Sequence, residues 1–142
     1  MPAAPGVASN YQLNERLYAL QTILNSSHIL HLFQNNITPD PSTPGTAFVE
    51  SNFPGYPAGG ISLANDFTAP TKVADGHYQI AGSSHAFSFT SGTSQTVYGW
   101  YLGDTGGNLR FSYLFATPVL MQSGVTLYVQ VIVEDWSYVT VP

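Results

Sequence analysis

At 142 residues the chain fits one domain with a core of its own, and its net charge of −5 rests on few ionic groups. Three scattered basic residues, Arg16, Lys72 and Arg110, exclude a phosphate-binding surface, and the absence of cysteine excludes disulfides and thiolate chemistry. Charged residues are 8% of the chain against about 25% in ordinary domains, while the 44% hydrophobic content excludes disorder and no apolar run is long enough to span a membrane.

In chain order, residues 1–9 form a Pro/Ala/Gly-rich arm, expected to be flexible or to order only against a neighbour, and lack the basic start and apolar run of a secretory signal. Without secretion, the glycosylation patterns at Asn25 and Asn36 read as chance. From Asn10 the apolar residues Leu13, Leu17, Leu20, Ile23 and Leu24 recur at spacings of three and four, which predicts one amphipathic helix over about 10–25. Ser9, with Gln12 three residues on, is placed to cap it. His28–Asn35 reads as a strand, and the prolines at 39, 41 and 44 then exclude regular structure. Ala47–Phe53 reads as a short strand or turn, Pro54–Gly60 as loop, and Ile61–Phe67 as a weak strand. His77–Ile80 and Ala86–Phe89 read as two strands joined by a loop over Ala81–His85.

The centre of the pattern is a hairpin. Thr96–Leu102 and Leu109–Phe115 flank a polar, glycine-rich loop of five residues, Asp104–Asn108. Alternation puts Leu109, Phe111, Tyr113 and Phe115 on one face, while the first strand is apolar on both faces and places Trp100 and Tyr101 on opposite sides. This hairpin is therefore expected at the middle of the core. Val125–Val133 is a further strand in which the valines and Leu127 share a face, and the tail after it carries Glu134, Asp135 and Trp136. One helix followed by six to eight strands indicates a mainly β, antiparallel β-sandwich or open barrel with one N-terminal helix, in a single domain over 10–142.

Several residues look chemical without forming a catalytic pattern. His28 and His31 are three apart, so a strand points them to opposite faces, which is poor for chelating a metal. A cross-strand site with His77 or His85 would be the alternative. Ser83 and Ser84 adjoin His85 without a G-x-S-x-G elbow, and Asp104–Asn108 lacks the alternating acidic ligands of a calcium loop. Asp66, Asp75 and Asp104 stand where aspartate commonly caps turns. The expectation is no catalytic residue, no metal and no cofactor. Large rings in unusual places offer more: Phe53 and Tyr56 in a Pro/Gly loop, Trp100 on the central strand and Trp136 in the tail have core packing as their default reading and interface anchoring as the alternative, favoured most for Trp136. With Leu13 and Leu17 of the helix, these are the candidate interface residues. A surface so poor in charge points to faces occupied in an assembly, a neutral monomer being the alternative.

Particular stretches also carry a resemblance. His31-Leu32-Phe33-Gln34-Asn35-Asn36-Ile37-Thr38-Pro39 is followed by Phe48-Val49-Glu50-Ser51-Asn52-Phe53-Pro54-Gly55-Tyr56. Then come Val97-Tyr98-Gly99-Trp100-Tyr101-Leu102, Phe115-Ala116-Thr117-Pro118 and Gly124-Val125-Thr126-Leu127. Their order and spacing resemble a group of small structural proteins of tailed bacteriophages. The resemblance implies a non-enzymatic virion component, made in the host cytoplasm and placed on the capsid surface as a decoration or cement protein. Its partners would be the major capsid protein and copies of itself in a homo-oligomer, with no nucleic acid and no membrane. The alternative is a fibre or tail module that binds a receptor glycan.

Overall fold

The computed structural model describes residues 9–136, so the arm before Ser9, the tail after Trp136 and the Trp136 side chain lie outside the described residues. The elements are α1 (Asn10–Leu24), β1 (His28–Phe33), β2 (Ile61–Ser62), β3 (Thr71–Ala74), β4 (His77–Ser88), β5 (Gln95–Asp104), β6 (Leu109–Met121) and β7 (Thr126–Trp136). They form a four-stranded sheet in the order β2-β1-β5-β6 and a three-stranded sheet β3-β4-β7. The protein is mainly β, with two antiparallel sheets and one N-terminal helix; it is of sandwich type, and no barrel closes among the described residues. By internal contacts the chain divides into two compact units. One holds residues 9–26, 65–83 and 130–136, the other residues 27–64 and 84–129.

In the first unit, α1 begins where Ser9 Oγ accepts a hydrogen bond from the Gln12 N–H at 3.2 Å. Leu13, Leu17 and Leu24 are buried, but Ile23 is exposed, so the apolar stripe is narrower than the sequence spacing suggests. The helix end is tied to the segment before β3. Asn25 Nδ2 donates to the Phe67 carbonyl at 3.1 Å, and Asn25 Oδ1 accepts from the Phe67 N–H at 2.8 Å. Gln21 Nε2 adds a third bond to the same carbonyl. Asn25→Ala should therefore cost about 2 kcal/mol, because it strands a part-buried N–H. A urea midpoint that falls with an unchanged m value would show it.

Four stretches differ from or narrow the expectation. β4 is continuous from His77 to Ser88, with no loop at Ala81–His85. Gly82 is buried, and a Cβ there would stand 2.6 Å from Asp66 Oδ2, so this glycine serves close approach and not a turn. β3 has no sequence signal because all four of its residues are exposed. Ala47–Phe53 forms no strand: a single 3-10 turn covers Gly45–Ala47, and Glu50 makes one isolated bridge to Phe33. Only Ile61 and Ser62 of the weak candidate pair with β1.

In the second unit, β1 and β5 are the central strands, paired from His28↔Asp104 to Phe33↔Gly99. β6 lies at the sheet edge, which corrects the placement of the hairpin at the middle of the core. Leu109, Phe111 and Phe115 are only half-buried and Tyr113 is 54% exposed, and among the described residues β6 has a neighbour on one side alone. The loop is also one residue shorter than expected, since Asp104 belongs to β5. Between the pairs Gly99↔Leu114 and Val97↔Val119, four residues of β6 (Phe115–Pro118) stand opposite one of β5 (Tyr98). This four-against-one break in register accommodates Pro118, which has no N–H to give to a ladder.

Candidate functional site

The densest cluster of polar and aromatic groups sits on one face of the four-stranded sheet. Alternation along β1 turns His31 and Phe33 to this face and leaves Leu30 and Leu32 buried on the other. His31 pairs in register with Tyr101 of β5, and their rings stack at 4.7 Å between centroids. Tyr101 stacks in turn on Phe48 at 4.6 Å, and Phe48 meets Phe33 edge-on at 4.9 Å. The segment after the 3-10 turn then brings Glu50 alongside β1.

Glu50 is the hub. Its Oε1 is 2.7 Å from His31 Nδ1 and accepts from the Tyr56 hydroxyl at 2.9 Å. An ionised carboxylate only accepts, so His31 Nδ1 is the donor of this bond. Tyr56 is fully engaged, since its oxygen also accepts from the Leu32 N–H at 3.2 Å. Burial and then the Glu50 carboxylate push the Tyr56 hydroxyl far above its ordinary range. The same two causes, burial first, raise Tyr101 to about 12. Because the folded state holds the neutral phenol more tightly, Tyr101 contributes stability that is full below the ordinary tyrosine value of about 10. That contribution is lost as pH rises through about 12. An absorbance titration of wild type against Tyr101→Phe should assign one late phenolate step to Tyr101.

The pair lies between two clefts. One of about 210 Å³ is lined by His31, Thr46, Tyr101, Gly103, Asp104 and Leu109. The other, about 370 Å³, is lined by Glu50, Ser51, Asn52, Tyr56, Ala58 and Gly59. No Ser or Thr hydroxyl is bonded to His31 Nε2 among the described residues. The cluster therefore sets an oriented imidazole beside a carboxylate, each lining one of the two clefts.

The residues singled out in the sequence fall elsewhere. Leu13, Leu17 and Phe53 are buried in the core, so an outer face is made by other side chains. Phe53 packs against Tyr56 and Phe89, which makes this loop a plug for its own unit. Trp100 is half-buried and stacks on the exposed Tyr113 at 6.1 Å. His28 is buried on the face of β1 opposite His31, and His77 meets Glu134 at 3.3 Å. Asp135 pairs with Arg16 at 2.9 Å, so the neighbouring carboxylates of Glu134 and Asp135 meet different partners. Among the described residues no three metal-ligating side chains gather. Ser83 and His85 lie on β4 and not on a loop; the Ser83 N–H donates to Asp66 Oδ2. Asp104 caps its turn, accepting from the Gly106 and Asn108 N–H groups. Those bonds, led by the Asn108 side-chain amide, hold its carboxyl below the usual aspartate range.

Sequence reasoning missed the His31–Glu50 pair, whose members are 19 residues apart. A lone glutamate within Phe48-Val49-Glu50 was the available signal. No family model, no curated protein and no solved structure matches the chain.

Proposed function

We propose that the chain is a non-enzymatic structural protein whose work is to bind other proteins, as a decoration or cement protein does on the head of a tailed phage. The observation that carries the reading is apolar exposure on a surface with almost no charge. Tyr11 is 73% exposed, Tyr128 69% and Tyr113 54%, and Ile23, Val49, Val73, Leu120 and Ile132 are also exposed. Lone exposed apolar residues are ordinary in soluble proteins. Here 8% of residues are charged, so few ionic groups surround them to keep free copies apart. Faces of this kind gain when a neighbour covers them, and repeated weak contacts across a shell add up through avidity. Few ion pairs are available for salt to screen, so such binding should change little between low and high ionic strength. The phage-like order of motifs in the sequence supports the same reading.

The test is quantitative mass analysis of purified particles made with the chain. A copy number comparable with the major capsid protein is the expected result. A handful of copies, or none, overturns it.

A further inference from the structure

The stretch of β6 before its break in register, residues 110–114, is an open edge with a row of rings beside it. A Cβ at Gly99 would lie 2.0 Å from the Tyr113 carbonyl oxygen, so that carbonyl points at β5. Pairing is regular from Gly99↔Leu114 to Leu102↔Phe111, and a regular strand turns the backbone groups of alternate residues to alternate edges. Arg110, Ser112 and Leu114 therefore turn both N–H and C=O outward, and no strand among the described residues takes them. A cleft of about 350 Å³ separates this edge from Pro39, Pro41 and Thr43. On the β6 side it touches Leu109, Arg110, Phe111 and Ser112, consecutive residues whose side chains alternate between faces, so the cleft runs along the edge and leaves it open. Edge amides are solvated in any open sheet; the rings beside these are the unusual part. Tyr113, 54% exposed, stacks on Trp100 at 6.1 Å and meets Phe115 at 6.1 Å. Phe111 stands on the same face, half-buried.

A strand from another protein would satisfy the outward amides too, but this edge matches a second copy of itself. Two such strands turned antiparallel about Ser112 bring Arg110 opposite Leu114 and Ser112 opposite Ser112, and these are the residues whose amides point outward. Phe111 of each copy then faces Tyr113 of the other in the close, non-hydrogen-bonded position, where aromatic cross-strand pairs form. The ring row continues across the joint, from Trp100 through Tyr113 to Phe111 of the second copy. Charge does not oppose the match, since each Arg110 has its own Asp104 at 3.3 Å. The two arginines stand about 14 Å apart along the strands, beyond the screening length of about 8 Å in physiological salt. Past Leu114 the break in register and Pro118 end the ladder, and each copy spends its own edge, so the joint closes at two copies. We infer that the chain forms a two-fold dimer through antiparallel β6–β6 pairing over residues 110–114, which joins two four-stranded sheets into one continuous sheet. The inference does not rest on the decoration reading, which the particle count tests separately.

The test is sedimentation of the full chain from micromolar to millimolar concentration. The joint is short, so a weak dimer whose population rises across that range is expected. Mixed samples of isotope-labelled and unlabelled chain should show an intermolecular contact between the α-protons of Phe111 and Tyr113, the close pair of this register. Ser112→Lys sets two cations face to face at the two-fold axis and should weaken the dimer about tenfold, with recovery in molar salt. Tyr113→Ser removes the exposed ring and should weaken it by a similar factor, without recovery in salt. A native amide spectrum shows that each variant is folded, and either variant alone is enough for the comparison. A dimer or larger assembly that contains the Phe111–Tyr113 contact supports the inference. A monomer throughout the range overturns it, as does an assembly whose contacts lie elsewhere or that neither variant weakens.

Discussion

Gly99→Val is expected to remove about 3 kcal/mol or more of stability, enough to leave a large unfolded fraction in a protein of ordinary marginal stability. The reason is steric. A Cβ at Gly99 would lie 2.0 Å from the Tyr113 carbonyl oxygen and 2.7 Å from two ring carbons of Phe33. The first of these is backbone of the paired strand, so relief requires β5 and β6 to part near the Gly99↔Leu114 pair. Even Gly99→Ala should be strongly destabilised. Urea unfolding followed by tryptophan fluorescence measures it, and an alanine variant as stable as wild type would refute the close approach.

The second large effect is Phe33→Ala. Phe33 is fully buried, lies against Gly99, and meets Phe48 edge-on at 4.9 Å. Truncation of such a ring costs about 3–5 kcal/mol, the transfer term plus the cavity it leaves. The loss should also loosen the Phe48–Tyr101–His31 stack, because Phe48 is held between Phe33 and Tyr101. Phe33 and Gly99 touch, so the two effects should not add. The double variant Phe33→Ala, Gly99→Ala should be less destabilised than the sum of the singles, as the new methyl enters the vacated ring space. A residual penalty remains from the Tyr113 carbonyl. Strict additivity in the cycle would show that the ring and the glycine are not in contact.

Which parts of the fold were legible follows from what each residue pattern encodes. The three-and-four spacing of leucines reports one covered stripe, and α1 runs Asn10–Leu24 where that stripe runs. Alternation over Leu109–Phe115 reports which side chains share a face. It does not report whether anything lies over that face, and β6 is an edge strand. Gly82 with Ser83 and Ser84 looks like a loop by composition, yet the glycine is there because Asp66 and the backbone of Val131 come close. β3 carries no alternation since none of its side chains is buried. The site was the least legible part. His31 and Glu50 meet through a long proline-rich excursion, and only register brings Tyr101 across from β5. Loop closure of that length leaves no periodicity to read.

The break in register at Phe115–Pro118 has a consequence for how copies of this chain behave when concentrated. The outer edge of β6, which pairs with no other strand among the described residues, would otherwise offer a thirteen-residue rail bearing a single cation, Arg110, and proteins usually blunt such rails with lysines. Here the kink and the missing amide of Pro118 interrupt the rail instead, so a strand docking from outside meets a gap before it gains full length. Resistance to fibre growth then comes from backbone shape and not from ionic repulsion. It should therefore persist in concentrated salt, where charge-guarded edges lose their protection.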